Sequence, residues 1–266
     1  IVFNPAIHYS KGEKLFDSGK FSAAAEQFSA AGDYKDAASK AKRATAAQSY
    51  ADGEAKFNAG DYTAASALFT AAAGYEDAAE RVRQSQLGVH YKAAETAFAN
   101  GDYPSAISEF EQAENFQDAA EQVLASTYAL ADENEKKEEY AKAIEEFDSI
   151  GDYSDAKERI FAIGLARLNA NDFSLAEKAF ETGGSSQSED YYYYTQGKEL
   201  FSRKKYSDAK EQFKKCAVED AADLCTACDY LTAEEHYQNG ELNTAKKLFE
   251  ALPKDYSYKN GAKVGV

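Results

Sequence analysis

Basic residues are the first shortage: 30 Lys and Arg stand against 46 Asp and Glu, a formal net charge of −16. Binding a phosphate backbone needs a basic footprint, so nucleic acid is not an expected partner, and an anionic membrane surface would repel the chain. A basic or neutral partner stays compatible, although charge of this size also serves simply to keep a surface soluble. Long apolar runs are missing too. No segment is apolar for long enough to span a bilayer, and the opening stretch from Ile1 to Ile7 is cut by Pro5. Methionine is absent even from position 1, so the sequence predicts a processed or partial chain with any leader or anchor outside it.

Chemistry-bearing residues are equally sparse. The three histidines, His8, His90 and His236, are scattered and have no nucleophile motif beside them. No Walker-type glycine loop, Gly-x-Ser-x-Gly elbow or His-Glu-x-x-His occurs, so neither an enzyme nor a cofactor is expected. Cys225-x-x-Cys228 and Cys216 are the only cysteines. Zinc wants four ligands and only His236 lies near enough to be the fourth, so no metal is expected. Plain packing is the expectation for Cys216, with a disulfide to Cys225 or Cys228 left open for an exported chain.

What is present is repetition. Tyr9-x-x-Gly12-x-x-Leu15-Phe16-x-x-Gly19-x-Phe21-x-x-Ala24-x-x-x-Phe28 recurs from Tyr50, Tyr91, Tyr128, Phe161, Tyr194 and Tyr230. Self-similarity at a period of roughly 30–40 residues signals a solenoid and favours binding over catalysis. Tyr9, Gly12 and Phe16 fall on one face of a 3.6-residue period, which predicts a first helix. Gly19, Gly60, Gly101 and Gly240 stand where that helix should stop. Asp61 and Asp102 are placed to cap a second helix carrying Ala65 and Phe69 or Ala106 and Phe110, and Pro104 falls in its first turn.

A closing phrase ends most units: Asp33-Tyr34-Lys35-Asp36-Ala37, Gly74-Tyr75-Glu76-Asp77-Ala78, Asn115-Phe116-Gln117-Asp118-Ala119 and Asp152-Tyr153-Ser154-Asp155-Ala156. Asp33, Asn115 and Asp152 read as N-caps with an acidic residue three places on, a variant of the capping box. From the phrase aromatic to the next unit's Tyr or Phe the spacing is 16 after Tyr34 and Tyr75, 12 after Phe116 and 8 after Tyr153. Steps of four are close to whole turns, so the first helix should vary in length by turns. The alternative is an extra short helix, with a break at Gly88. Unit four's first helix is polar, carrying Asp132, Glu133, Glu135, Glu138 and Glu139. After unit five the phrase gives way to Gly183-Gly184-Ser185-Ser186-Gln187-Ser188, a bend whose serines are placed to cap the next helix.

These residues resemble tetratricopeptide repeats. The family's small residue, turn glycine, aromatic, alanine and aromatic are matched by Gly12, Gly19, Phe21, Ala24 and Phe28, by Gly53, Gly60, Tyr62, Ala65 and Phe69, and by Ala94, Gly101, Tyr103, Ala106 and Phe110. The family's Trp is missing, and the Asp-Tyr-x-Asp-Ala phrase replaces its unit-ending Pro. The resemblance implies an all-α, right-handed solenoid of about seven helix pairs in one domain over 1–266. Its units lie near 9–49, 50–90, 91–127, 128–160, 161–193, 194–229 and 230–266. The closing phrase is also similar to that of bacterial proteins with a membrane helix just before the first unit. That implies an extracytoplasmic, membrane-anchored location with Ile1 to Ile7 at the anchor's edge, the alternative being cytoplasmic.

In tetratricopeptide proteins exposed positions of the first helix line a concave groove. Carried over, these are Glu13, Glu54, Glu95, Asp132, Lys198 and Glu234, interrupted by Leu165, with Asp17, Asn58, Lys136 and Asn169 one turn on. Repeated carboxylates would suit a basic or amine-bearing peptide. The family's clamp for a C-terminal carboxylate uses Lys and Asn where Tyr9, Glu13, Tyr50 and Glu54 stand, which argues against that ligand. The Tyr9, Tyr50, Tyr91, Tyr128, Phe161, Tyr194 and Tyr230 column is expected to be inter-helix core rather than a stacking ladder. The expectation is a non-enzymatic protein- or peptide-binding scaffold; the alternative is a spacer that presents another domain.

Overall fold

Alternating long and short helices follow directly from the repeat. A computed structural model describes residues 4–254, 258–259 and 262–263. Among the described residues the long members are α1 (Pro5–Asp17), α3 (Ala37–Asn58), α5 (Ala78–Ala99), α7 (Ala119–Lys136), α9 (Ala156–Asn169), α11 (Ser186–Ser202) and α13 (Ala221–Gln238). The short members are α2 (Phe21–Ala30), α4 (Tyr62–Ala71), α6 (Tyr103–Gln112), α8 (Tyr140–Ser149), α10 (Phe173–Gly183), α12 (Tyr206–Phe213) and α14 (Leu242–Glu250). Two-residue strands, β1 (Tyr258–Lys259) and β2 (Ala262–Lys263), pair antiparallel after them. Helices pack on their sequence neighbours, α1 through α6 in turn and α8 through α14 in turn, which makes this an all-α helical repeat. The chain divides into two compact units, Ile1–Ser126 and Thr127–Val266.

One contact builds each helix pair. Phe28, Phe69, Phe110, Phe147, Phe180 and Phe213 are fully or almost fully buried. Four of these rings lie against a glycine sixteen residues earlier in the preceding long helix. A Cβ on Gly12, Gly53, Gly164 or Gly197 would approach Phe28, Phe69, Phe180 or Phe213 to 2.8, 2.8, 2.7 and 2.5 Å. Ala94 and Ala131 hold the same place opposite Phe110 and Phe147 and are themselves buried. The turn between helices needs a left-handed residue, which Gly19, Gly60, Gly101 and Gly240 supply at φ of 71°, 75°, 76° and 79°. Glu138, Asn171 and Lys204 take that conformation in the other pairs. Asp61 and Asp102 then cap α4 and α6, their side chains accepting from the Ala64 and Ser105 amides at 3.2 Å, and Pro104 sits in the first turn of α6.

The closing phrase is a turn rather than a helix start. Helices begin at Ala37, Ala119 and Ala156, three residues later than caps at Asp33, Asn115 and Asp152 would place them, and at Ala78 after the second phrase. The third phrase residue explains this: Lys35, Glu76, Gln117 and Ser154 have φ of 52°, 44°, 51° and 53°, which no right-handed helix accommodates. Nor does the Asp36, Asp77 or Asp155 side chain cap its helix, because each carboxylate is taken by a tyrosine. The whole-turn rule holds, with 22 residues in α3 and α5, 18 in α7 and 14 in α9. Gly88 breaks nothing: it lies inside α5, and its missing Cβ makes room for the Tyr62 ring. Glu138 and Glu139 leave unit four's first helix, since α7 ends at Lys136 and Glu138 forms the left-handed turn. Gly184 ends α10 at φ 60°, and Ser185 caps α11 by accepting from the Ser188 amide. Ile1 to Phe3, the outer part of the expected anchor edge, lie outside the described residues, and Asn4 caps a helix that starts at Pro5.

Candidate functional site

The tyrosine column is core at its ring and polar at its tip. Tyr9, Tyr91 and Tyr194 are buried and meet Phe28, Phe110 and Phe213 at centroid distances of 5.8, 5.4 and 5.8 Å. Five of the column's hydroxyls donate to an aspartate just before the next long helix. Tyr9 reaches Asp36 and Tyr128 reaches Asp155 at 2.5 Å, Tyr194 reaches Asp220 at 2.8 Å, and Tyr50 and Tyr91 bond Asp77 and Asp118. Four of the five pairs are 27 residues apart and one is 26. Phe161 has no hydroxyl, and its place in the pattern falls on Ser188, where the closing phrase is lost. In the Tyr91–Asp118 pair the bond shifts both partners, the tyrosine up and the aspartate down. Tyr50 is pushed up to about 12, first by the Asp77 carboxylate and then by burial. Tyr hydroxyl donation holds Asp36 and Asp118 below the usual carboxylate range. For Tyr91 and Tyr194 burial is the larger cause of an upward shift and the carboxylate the second.

The carboxylate column follows the same offset. Lys40 Nζ donates to Glu13 Oε1 and Arg81 Nε to Glu54 Oε1, each at 2.5 Å across 27 residues. Arg159 Nη2 donates to Asp132 at 2.9 Å, also across 27 residues, and to Glu135 at 2.6 Å. Glu95 is exposed and pairs locally with Lys92 at 2.7 Å. Lys198 lies 5.9 Å from the Tyr194 ring centroid, and Glu234 is half-buried on α13. Lys136 pairs with Asp132, while Asn58 and Asn169 are exposed. So three of the expected groove acids are tied to a cation of the next long helix. Lys40, Arg81 and Arg159 were not singled out by sequence. Their signal is the offset of 27 they share with the tyrosine–aspartate pairs.

Glu13 and Asp17 do meet in one cavity. It encloses about 460 Å³ and is lined by Glu13, Phe16 and Asp17 of α1, Phe28 of α2, and Lys40 and Arg43 of α3. Phe16 and Phe28 form an apolar floor. Lys40 Nζ stands 4.7 Å from the Tyr9 ring centroid and 5.8 Å from that of Phe28, and Arg43 Cζ 5.4 Å from that of Phe16. The Glu13 and Tyr9 bonds to Lys40 raise its pKa above the ordinary lysine value, so it is charged at neutral pH.

The chain matches no family model and no curated protein. Its helical repeat therefore stands on its own residues. Cys216, Cys225 and Cys228 are free thiols packed in or against one core cluster with Phe213 and Leu168. Cys216 Sγ lies 3.3 Å from the Phe213 carbonyl oxygen, and burial pushes Cys228 up to about 12. Among the described residues no cluster of three or more His, Cys, Asp and Glu is arranged to hold a metal ion, and no helix is long and apolar enough to cross a membrane.

Proposed function

We propose that this is a tetratricopeptide-like repeat protein that binds a protein or peptide along its long-helix face, without catalysis. One observation carries the reading: the long helices α1 and α3 frame a side-chain-lined cavity at the positions the family uses for ligands. Its mixture of ring faces and both charges suits a peptide side chain, which needs apolar contact and a polar anchor together. Burial raises all three thiols, which disfavours the nucleophilic thiolate. The closing phrase supports assigning the chain to the membrane-anchored bacterial variant, hence an extracytoplasmic site.

Selection from a displayed peptide library on the purified chain tests this. Enriched peptides should bind, and Asp17→Asn with Glu95→Gln should weaken them several-fold with the melting temperature unchanged. Both side chains are exposed, so neither change disturbs packing. No enriched peptide, or equal affinity for the variant, sinks the reading. A spacer role is the second reading, favoured by the ion pairs that consume Glu54 and Asp132 between successive long helices.

A further inference from the structure

The same six positions recur 41 residues later as Glu54, Phe57, Asn58, Phe69, Arg81 and Gln84. There the space over the rings is filled from within. Arg81 lays its guanidinium 4.1 Å from the Phe57 centroid and 5.2 Å from that of Phe69, with Nε on Glu54 and Nη1 on Gln84. Arg159 repeats the arrangement in the second unit, 5.2 Å from the Phe147 centroid and paired with Asp132 and Glu135. In the first pair the position belongs to Lys40. An ammonium has no planar fork to spread over two rings, and its charge is spent on Glu13 and the Tyr9 face. The Lys40 side chain stays 31% exposed where that of Arg81 is 15% exposed. The result is a cavity of about 460 Å³ over Phe16 and Phe28, with the Asp17 carboxylate where the next repeat has the Asn58 amide.

We propose that this cavity takes a guanidinium group, the arginine side chain of a peptide partner. It rests on the peptide-binding reading and names the chemistry that reading leaves open. The incoming group stacks on Phe16 as Arg81 stacks on Phe57, with Phe28 almost fully buried beside it, and Glu13 and Asp17 accept its N–H donors. Arg43, exposed and with its Cζ 5.4 Å from the Phe16 centroid, is a cation already over that ring and competes for it. The rest of the volume accommodates the methylene stem.

Calorimetric titration with Nα-acetylarginine amide, whose terminal charges are blocked, provides the test. Binding should be about tenfold tighter than for Nα-acetylcitrulline amide, a neutral analogue of closely similar shape, since charge-assisted bonds are lost. Lys40→Arg fills the slot from within and should abolish binding, whereas Arg43→Gln, which copies Gln84, should tighten it several-fold. Circular dichroism and melting confirm that both variants fold. Equal affinity for citrulline, unchanged binding in Lys40→Arg, or no binding even in Arg43→Gln overturns the proposal. Library peptides that bind but are not displaced by blocked arginine also overturn it, and leave the scaffold reading standing. Blocked arginine that binds while no peptide is enriched supports the pocket and removes the scaffold reading instead.

Discussion

A tyrosine hydroxyl, a glycine hydrogen and a left-handed turn residue each act at a single position, and each is testable there. Tyr194 is buried and its hydroxyl donates to Asp220, so Tyr194→Phe leaves a carboxylate without its donor. A loss of about 1–2 kcal/mol in urea unfolding is expected; a loss within error would show that water replaces the hydroxyl freely. Gly197 sits mid-helix, where propensity alone favours alanine by up to about 1 kcal/mol. Its Cβ would come within 2.5 Å of the buried Phe213 ring, so overpacking should win and Gly197→Ala should destabilise by about 1–3 kcal/mol. Lys204 works the other way. It holds φ 60° where four other pairs have glycine, so Lys204→Gly should raise stability by roughly 0.5–1 kcal/mol.

At the scale of the element, α1 to α3, α3 to α5 and α7 to α9 are each tied twice, by tyrosine to aspartate and by carboxylate to cation. Arg159 links the two ties, with Nη1 3.3 Å from the hydroxyl oxygen of Tyr128, which itself donates to Asp155, and Nη2 on Asp132 and Glu135. A lysine carries the charge but cannot reach three acceptors on a planar fork. Arg159→Lys should therefore lower stability by about 1 kcal/mol, and a double-mutant cycle with Glu135→Gln should show coupling. Strict additivity would mean the tie is only geometric. The same view explains why helix lengths step by about a turn from α5 to α7 to α9. A one-residue change rotates the following face by about 100°, away from the phenylalanine that the glycine must meet.

For the whole molecule, charge sets the pH response. Asp36 and Asp118 are held low by tyrosine donation, and Asp132 by Lys136 and Arg159. A depressed folded-state pKa stabilises above the unfolded value of about 3.9 and loses that contribution as pH falls further. The net charge of −16 opposes this from the neutral side, because partial protonation relieves repulsion. Melting temperature should thus pass through a maximum near about pH 5 and fall below about pH 4. Raised folded values act at the alkaline end: the Tyr50 contribution is present below about pH 10 and lost as pH rises through about 12. A tyrosinate absorbance titration that shows every tyrosine ionising near pH 10 would contradict this.

Sequence alone determined the helix pairs, the turn glycines, the caps at Asp61 and Asp102, and the variation of helix length by turns. These follow from local rules of period, backbone conformation and capping, and they need no knowledge of neighbours. Local rules failed at the closing phrase, where a capping-box pattern masks a turn whose aspartate serves a tyrosine 27 residues away. They are silent on the partners of the acidic column. A column of carboxylates looks free in sequence, yet Glu13, Glu54 and Asp132 are partnered by cations of the next long helix. Only tertiary packing decides such pairings, because stacking one repeat on the next sets which side chains come within hydrogen-bonding reach. The cavity at Glu13 and Asp17 is decided there as well: Lys40 leaves open in one repeat the space that Arg81 closes in the next.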